Sequence, residues 1–246
     1  MPRSALSVQL YSIRDALATD PADALTRIQS IGFTAVEPYN LTEGAASLAP
    51  LLAERQLAAP SAHSTLVGVD LDAAFRAATA IETSLLIDSG VAAEFWQDAD
   101  QIARTADALN AAAERGATEG ISVGYHNHWW ELESRVGDLS GMEYLITLLD
   151  DRVRLEVDTY WAAVAGKDVP ALLSQIGDRV AAIHVKDGPL DRDPATQLPA
   201  GEGVMPIGDI LTAAGDAIPV IEFDAYAGDI FAGIAAARTF VLGQLS

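Results

Sequence analysis

The chemistry available to this chain is carried by four histidines and a small set of carboxylates. His63, His126, His128 and His184 each fall at or just past the end of a β-prone run. Glu37, Asp158 and Glu222 do the same, in Ala35-Val36-Glu37, Leu155-Glu156-Val157-Asp158 and Val220-Ile221-Glu222. Imidazole nitrogens and carboxylate oxygens together suit Mn²⁺, Mg²⁺, Co²⁺, Fe²⁺ or Zn²⁺. The chain has no cysteine, which removes zinc–thiolate sites, iron–sulfur clusters, disulfides and thiol nucleophiles together. Without a thiolate, Mn²⁺ or Mg²⁺ is the first expectation. Such an ion polarises a carbonyl and eases proton removal from the neighbouring carbon. A carboxylate or imidazole beside it can carry the proton.

The elements that must position these residues alternate along the chain. Eight β-prone runs are read at Ser7–Ile13, Ala35–Pro38, Ala58–His63, Ser84–Asp88, Ile121–His126, Val153–Asp158, Val180–Val185 and Ile218–Phe223. Between them lie stretches with helical spacing: Pro21–Ile31, Leu48–Arg55, Leu71–Ala80, Asp98–Arg115, Leu139–Asp150, Val169–Ile176, Ile207–Ala214 and Ile230–Leu242. Thr19-Asp20-Pro21 is a helix-start signal. Strands alternating with helices predict a parallel α/β fold. No GxGxxG or Walker A sequence supports an open dinucleotide-binding sheet. A TIM (β/α)8 barrel is therefore the expected fold, with residues 1–246 as one domain. Active sites of that fold sit at the C-terminal ends of the strands. The long polar stretch Asp187–Gly203, after the seventh run, is a candidate functional loop.

Composition narrows the partners. The 246 residues include 35 acidic and 15 basic ones, a formal charge of -20. That balance argues against nucleic acid, whose phosphates need clustered Lys and Arg. The opening MPRSALSVQLYSIRD lacks the apolar stretch and cleavage site of a secretory signal. No window approaches the roughly 18 apolar residues of a membrane span. A cytoplasmic protein without a membrane partner is expected. Barrels of this type often pair, so a homodimer is a candidate assembly.

Several residues carry a structural alternative. Glu37 could pair with Arg14 beneath the site. Glu156, two before Asp158 and on the same facing, is read as a barrel-interior ion pair. His126 and His128 share a facing, with Gly124 leaving space below them. Lys186 shares the facing of His184 and could reach substrate, or could pair with Asp187 or Asp158. Trp129-Trp130 is a candidate pocket wall.

At these residues the sequence resembles the sugar phosphate isomerase/epimerase superfamily, the xylose isomerase-like barrels. The carriers are Val8-Gln9-Leu10-Tyr11-Ser12-Ile13-Arg14-Asp15, Gly32-Phe33-Thr34-Ala35-Val36-Glu37, Gly124-Tyr125-His126-Asn127-His128, Leu155-Glu156-Val157-Asp158-Thr159, Ile183-His184-Val185-Lys186-Asp187, Gly201-Glu202-Gly203 and Ile221-Glu222-Phe223. The resemblance implies a divalent ion at the barrel mouth, held by Asp158, His184 and Glu222. A fourth ligand position matches His126, where ketose epimerases of the family carry Glu. That departure removes the symmetric pair of carboxylates, and leaves His126 as ligand or base. Glu131 matches a substrate-contacting carboxylate. Trp161 stands where epimerases carry a substrate-binding His. His63, Glu37, His128 and Lys186 complete the expected substrate contacts, and Glu222, Glu131 and His126 are the candidate proton carriers.

The expected function is metal-dependent isomerisation or epimerisation of a small ketose or keto-polyol. A dehydratase or lyase on a keto-inositol or 3-keto-sugar is the close alternative. A repair-type phosphodiesterase on the same barrel is opposed by the acidic charge and the small number of histidines. A non-catalytic sugar-binding barrel subunit is the remaining alternative.

Overall fold

The computed structural model describes residues 6–245. Residues 1–5, part of the N-terminal stretch read for a targeting signal, lie outside them. Seven parallel strands form one sheet: β1 Ser7–Val8, β2 Ser61–His63, β3 Leu85–Asp88, β4 Ser122–His126, β7 Arg154–Asp158, β8 Val180–Val185 and β9 Ile218–Ile221. A separate two-stranded hairpin, β5 Arg135–Val136 and β6 Leu139–Ser140, lies between β4 and β7 in sequence. The strand order is β1-β9-β8-β7-β4-β3-β2.

Residues 34–38 join the two edges of this sheet. Glu37 N–H donates to Val8 O (2.8 Å), and Leu10 N–H donates to Glu37 O (2.8 Å). On the other side Val36 N–H donates to Ala58 O (2.9 Å), and His63 N–H donates to Pro38 O (2.8 Å). The run Ala35–Pro38 thus closes the barrel through single bridges. Pro38 lacks the N–H a longer ladder would need.

The first run is shorter than its hydrophobicity suggests. It ends at Val8 because the Gln9 side chain accepts from Tyr11 N–H (3.1 Å) and starts a helical turn over Leu10–Ile13. The helix expected at Leu48–Arg55 spans Leu41–Arg55, with Pro50 inside it. Gly44 and Pro50 are poor helix formers, and they concealed its first two turns. The expected helix Leu139–Asp150 is Gly141–Leu148. Leu139 and Ser140 instead complete the hairpin, and Ser140 with Glu143 forms a reciprocal capping box. Asp20 and Asp98 cap Pro21–Ile31 and Ala99–Glu119 as their positions dictate.

The main core lies between sheet and helices and includes Leu86, Val123, Tyr125, Leu155, Val157, Ile183, Val185 and Ile221. Within the barrel a small apolar floor is made by Leu85, Ile87 and Ala182. A Cβ on Gly124 would sit 3.3 Å from Ile87 Cγ1, so the space it leaves is taken by that floor. Among the described residues no helix is long and apolar enough to cross a membrane.

Candidate active site

Above the floor the lumen is ionisable rather than apolar. Alternate residues of β4, β7, β8 and β9 point inward and bring His126, Glu156, Asp158, His184 and Glu222 together. Glu37 and His63 join them from the neighbouring segments, and all seven are buried. His184 is the hinge of the arrangement. Its Nδ1 is 2.5 Å from Glu222 Oε2 and 4.0 Å from Asp158 Oδ2. Its Nε2 is 2.8 Å from Glu37 Oε1 and 3.2 Å from Glu156 Oε2.

Two groups of donors result. Asp158, His184 and Glu222 each offer an atom within 4.8 Å of the others. His126 is not in that group; it joins His63, Glu156 and His184 in a second one. Its Nδ1 is 2.9 Å from Glu156 Oε2, and its Nε2 stays 3.8 Å from Asp158 Oδ2. The first group fits a divalent ion by its own chemistry. Asp158 Oδ1 is fixed by Trp161 N–H (2.9 Å), while the buried Oδ2 makes no hydrogen bond. The nearest ion-pair contact of Oδ2 is Lys186 Nζ at 2.8 Å, with His126 Nε2 at 3.8 Å and His184 Nδ1 at 4.0 Å. Such an oxygen, beside a second carboxylate and an imidazole, suits a cation.

The electrostatics follow from burial and pairing. Burial pushes the Glu222 carboxyl up, but the positive His184 and Lys186 outweigh it and hold it well below the usual range. Glu37 is likewise held low: burial opposes, and His63 and His184 prevail. Glu156 is lowered to about 2, against burial and the neighbouring Glu37 charge, by His184, His63 and His126. His63 is raised to about 10, where Glu156 and Glu37 overcome the burial that favours its neutral form. His126 is driven well below its ordinary value by burial and then by the positive His184. It is a neutral imidazole among ionised neighbours. Asp158 is raised, because burial exceeds the opposing pull of Lys186 and His184.

A cavity of about 220 Å³ opens above these groups, lined by Tyr11, Tyr39, Asn40, His63, Ser89, His126, His128, Glu222 and Asp224. Of the expected substrate contacts, His63 and His128 line it. His128 is held there by Trp130, whose ring stacks on it at 4.1 Å. Trp130 is therefore a support, and Trp129 lies under Arg192 (4.0 Å).

Other expected contacts are placed elsewhere. Glu131 is fully buried and accepts from Tyr125 Oη (2.9 Å) and His128 N–H (2.8 Å), so its carboxylate is spent on holding the loop after β4. Glu37 lies beneath the site, bound by Gln9 Nε2 (2.8 Å) and by Ser61. Arg14 does not pair with it. The early end of β1 turns Arg14 outward, over the Tyr11 ring at 4.2 Å. Trp161 is 6% exposed, has Lys186 Nζ over its ring at 5.6 Å, and is not among the residues that line the cavity. Lys186 is locked by Asp158 (2.8 Å), Glu222 (2.7 Å) and Asp224 (2.7 Å), and not by Asp187. Asp187 instead accepts N–H groups from Gly188, Gly201 and Met205, shaping the long loop. Glu156 does form barrel-interior pairs, with His63, His126 and His184.

Sequence reasoning passed over Asp224. It stands two residues after Glu222, so the period-two rule that selected His128 and Lys186 also selects it. Tyr11, Tyr39, Asn40 and Ser89 carried no such signal, since turns and loops bring them to the mouth.

Fold and site together define a metal-competent barrel. A family model for the xylose isomerase-like TIM barrel matches residues 25–217, and the chain belongs to that family. The structure is similar to a sugar phosphate isomerase/epimerase from Parabacteroides distasonis ATCC 8503, with TM-score 0.83, 18% identity, and 100% and 96% of the two chains covered. It is also similar to the probable 3-DHS dehydratase AsbF from Bacillus anthracis (TM-score 0.76, 12% identity, 97% and 98% covered). A third similar structure is the IolI protein with a bound zinc atom (TM-score 0.72, 13% identity, 98% of each chain). No curated protein matches the chain.

Proposed function

We propose that the protein is a divalent-metal-dependent isomerase or epimerase of an uncharged ketose or keto-polyol, acting by proton abstraction beside the carbonyl. The observation that carries this reading is the convergence of Asp158, His184 and Glu222 at the floor of a cavity that Glu222 itself lines. When bound there, the ion would polarise the substrate carbonyl and acidify the adjacent C–H.

The chain's own residues supply the rest. Glu222 is held ionised and can accept the proton. His126, which lines the cavity and is held neutral by burial and the neighbouring His184 charge, is a second proton carrier on another strand. Glu37 holds His184 in one orientation from below, as carboxylates commonly do for a metal-bound imidazole. With Asp158 and Glu222 engaged by an ion, Asp224 remains as a partner for Lys186.

The cavity is smaller than the ~300 Å³ lower end for drug-sized ligands, which suits a monosaccharide or cyclitol. No Lys or Arg lines it, whereas two carboxylates do, which disfavours a phosphorylated substrate. A decayed, non-catalytic barrel has little reason to retain so many buried ionisable groups, because their desolvation opposes folding.

One carboxylate and one neutral imidazole, in place of two carboxylates, also favour elimination as a second reading. The first proton transfer is the same; a β-leaving group then departs. A keto-sugar and polyol panel in D₂O, with Mn²⁺, Mg²⁺ or Co²⁺ added, tests both. Deuterium at the carbon beside the carbonyl without elimination supports the isomerase/epimerase, and loss of water or an aglycone supports the lyase. Neither labelling nor turnover with any metal overturns the reading.

A further inference from the structure

The second donor group lies one residue layer deeper than the first, because Glu156 precedes Asp158 by two on β7. Three ring nitrogens from three strands converge on a single oxygen there. Glu156 Oε2 is 2.5 Å from His63 Nε2, 2.9 Å from His126 Nδ1 and 3.2 Å from His184 Nε2. The His63 and His184 rings lie nearly parallel, 9° apart, with both Nε2 atoms on that oxygen. Every member is buried.

The His184 Nε2 hydrogen bond goes to Glu37 Oε1 (2.8 Å), so Glu156 Oε2 accepts two, from His63 and His126, which match its two lone-pair sites. The other oxygen, Glu156 Oε1, is buried and has no hydrogen-bond partner. Buried polar atoms are normally partnered, so each orphan asks for an explanation.

We propose that His63, His126, His184 and Glu156 form a second metal site, distinct from the Asp158–His184–Glu222 group and selective for a borderline ion such as Zn²⁺ or Co²⁺. Three imidazoles and one carboxylate are the count and type of a four-coordinate site of that class. Bonds of about 2 Å in a tetrahedron place ligand atoms roughly 3.3 Å apart, so the three contacts to Glu156 Oε2 would lengthen by less than about 1 Å to admit the ion. The outer group, with two carboxylates and one nitrogen, suits a harder ion. His184 gives Nδ1 to the outer group and Nε2 to the inner one, so an ion in the inner site would replace the Glu37 contact that holds Nε2 in the metal-free protein. The proposal does not rest on the catalytic reading, which needs only the outer group.

Metal-free full-length protein titrated with Co²⁺, followed by metal analysis and visible absorption, tests it. Wild-type protein is expected to take up two equivalents, one giving the intense visible bands of four-coordinate cobalt. His63→Gln and Glu156→Gln should each lose that equivalent and its bands, and Glu222→Gln should keep them. A single equivalent that survives in Glu222→Gln and is lost in His63→Gln also supports the inner site, and removes the basis of the proposed catalysis. A single equivalent that survives in His63→Gln and Glu156→Gln, with only weak bands, overturns the inner site and leaves the catalytic reading standing. Uptake of no cobalt by the wild type overturns both. Because wild-type stoichiometry and spectrum decide by themselves, a variant that fails to fold does not leave the site undecided.

Discussion

On β7, Leu155 and Val157 point outward into the helix layer, while Glu156 and Asp158 point inward to the lumen, and all four are at most 1% exposed. On β8 the same alternation sets Ile183 and Val185 against His184 and Lys186. Parallel strands covered on both faces ordinarily read as continuous apolar runs. Here burial is equal on the two faces and chemistry is opposite. The outward face is what hydrophobic packing demands. The inward face opposes folding, since each charge must be compensated by a partner. Groups retained at such a cost mark the part of the barrel that works.

The strongest way to break this comparison is Glu222→Gln. If the inward face serves chemistry, the variant should fold normally and lose on the order of 10²–10⁴-fold in turnover. Circular dichroism and the metal-supplemented substrate panel read the two properties separately. Wild-type activity would remove Glu222 from the proton path. The converse change is Leu155→Ala on the outward face of the same strand. Its side chain is fully buried in the main core, so denaturant unfolding should show a loss of about 2–5 kcal/mol. Cobalt uptake at saturating metal should remain at the wild-type level. A loss of metal binding equal to that of His184→Ala would mean that the two faces are not separable.

How far each face was legible follows from its periodicity. The eight alternations and the inward set His126, Asp158, His184 and Glu222 depend on spacings of two or of three to four residues, and the helix start at Asp20 on a local signal. Those spacings are written directly into the chain. What stayed hidden depends on where a strand stops or on contacts distant in sequence. An Arg14 pair with Glu37 is open only while the first run continues to Ile13; the Gln9 cap ends it at Val8 and turns Arg14 away. Glu131 was assigned to substrate because nothing local shows that Tyr125, six residues earlier, donates to it. The separation of His126 from the outer ligand group depends on distances between strands far apart in the chain, which no spacing encodes.

The pH dependence of the metal-free protein sharpens the same contrast with a smaller effect. His63 has a folded-state value of about 10 against an ordinary 6.5. Its protonation therefore stabilises the fold fully below pH 6.5, and that contribution is lost as pH rises toward 10. The slope is at most about 1.4 kcal/mol per pH unit for this one proton. Glu156, lowered to about 2 from 4.5, acts in the opposite direction. Its contribution is present above pH 4.5 and is lost as pH falls toward 2. Denaturant melts in the presence of chelator should thus weaken on both sides of neutrality. The alkaline decline should be shallower in His63→Gln, and an equal slope in that variant would remove His63 as its source.

The smallest expected effect lies where the lumen meets the long loop. Gln197, 1% exposed, donates through Nε2 to Asp224 Oδ2 (2.7 Å) and accepts Asp224 N–H at Oε1 (2.8 Å). Asp224 in turn lines the cavity and holds Lys186. Gln197 thereby ties the loop after β8 to the inward face without touching Asp158, His184 or Glu222 directly. Gln197→Ala should cost about 1 kcal/mol in stability. It should raise KM a few-fold and leave kcat nearly unchanged, because the proton carriers keep their partners. Hydrogen exchange should quicken in residues 187–203 and not in β7 or β8. A fall in kcat as large as that of Glu222→Gln would place the loop in the chemical step itself, and the boundary between the reactive lumen and its supports would have to move outward to include Asp224.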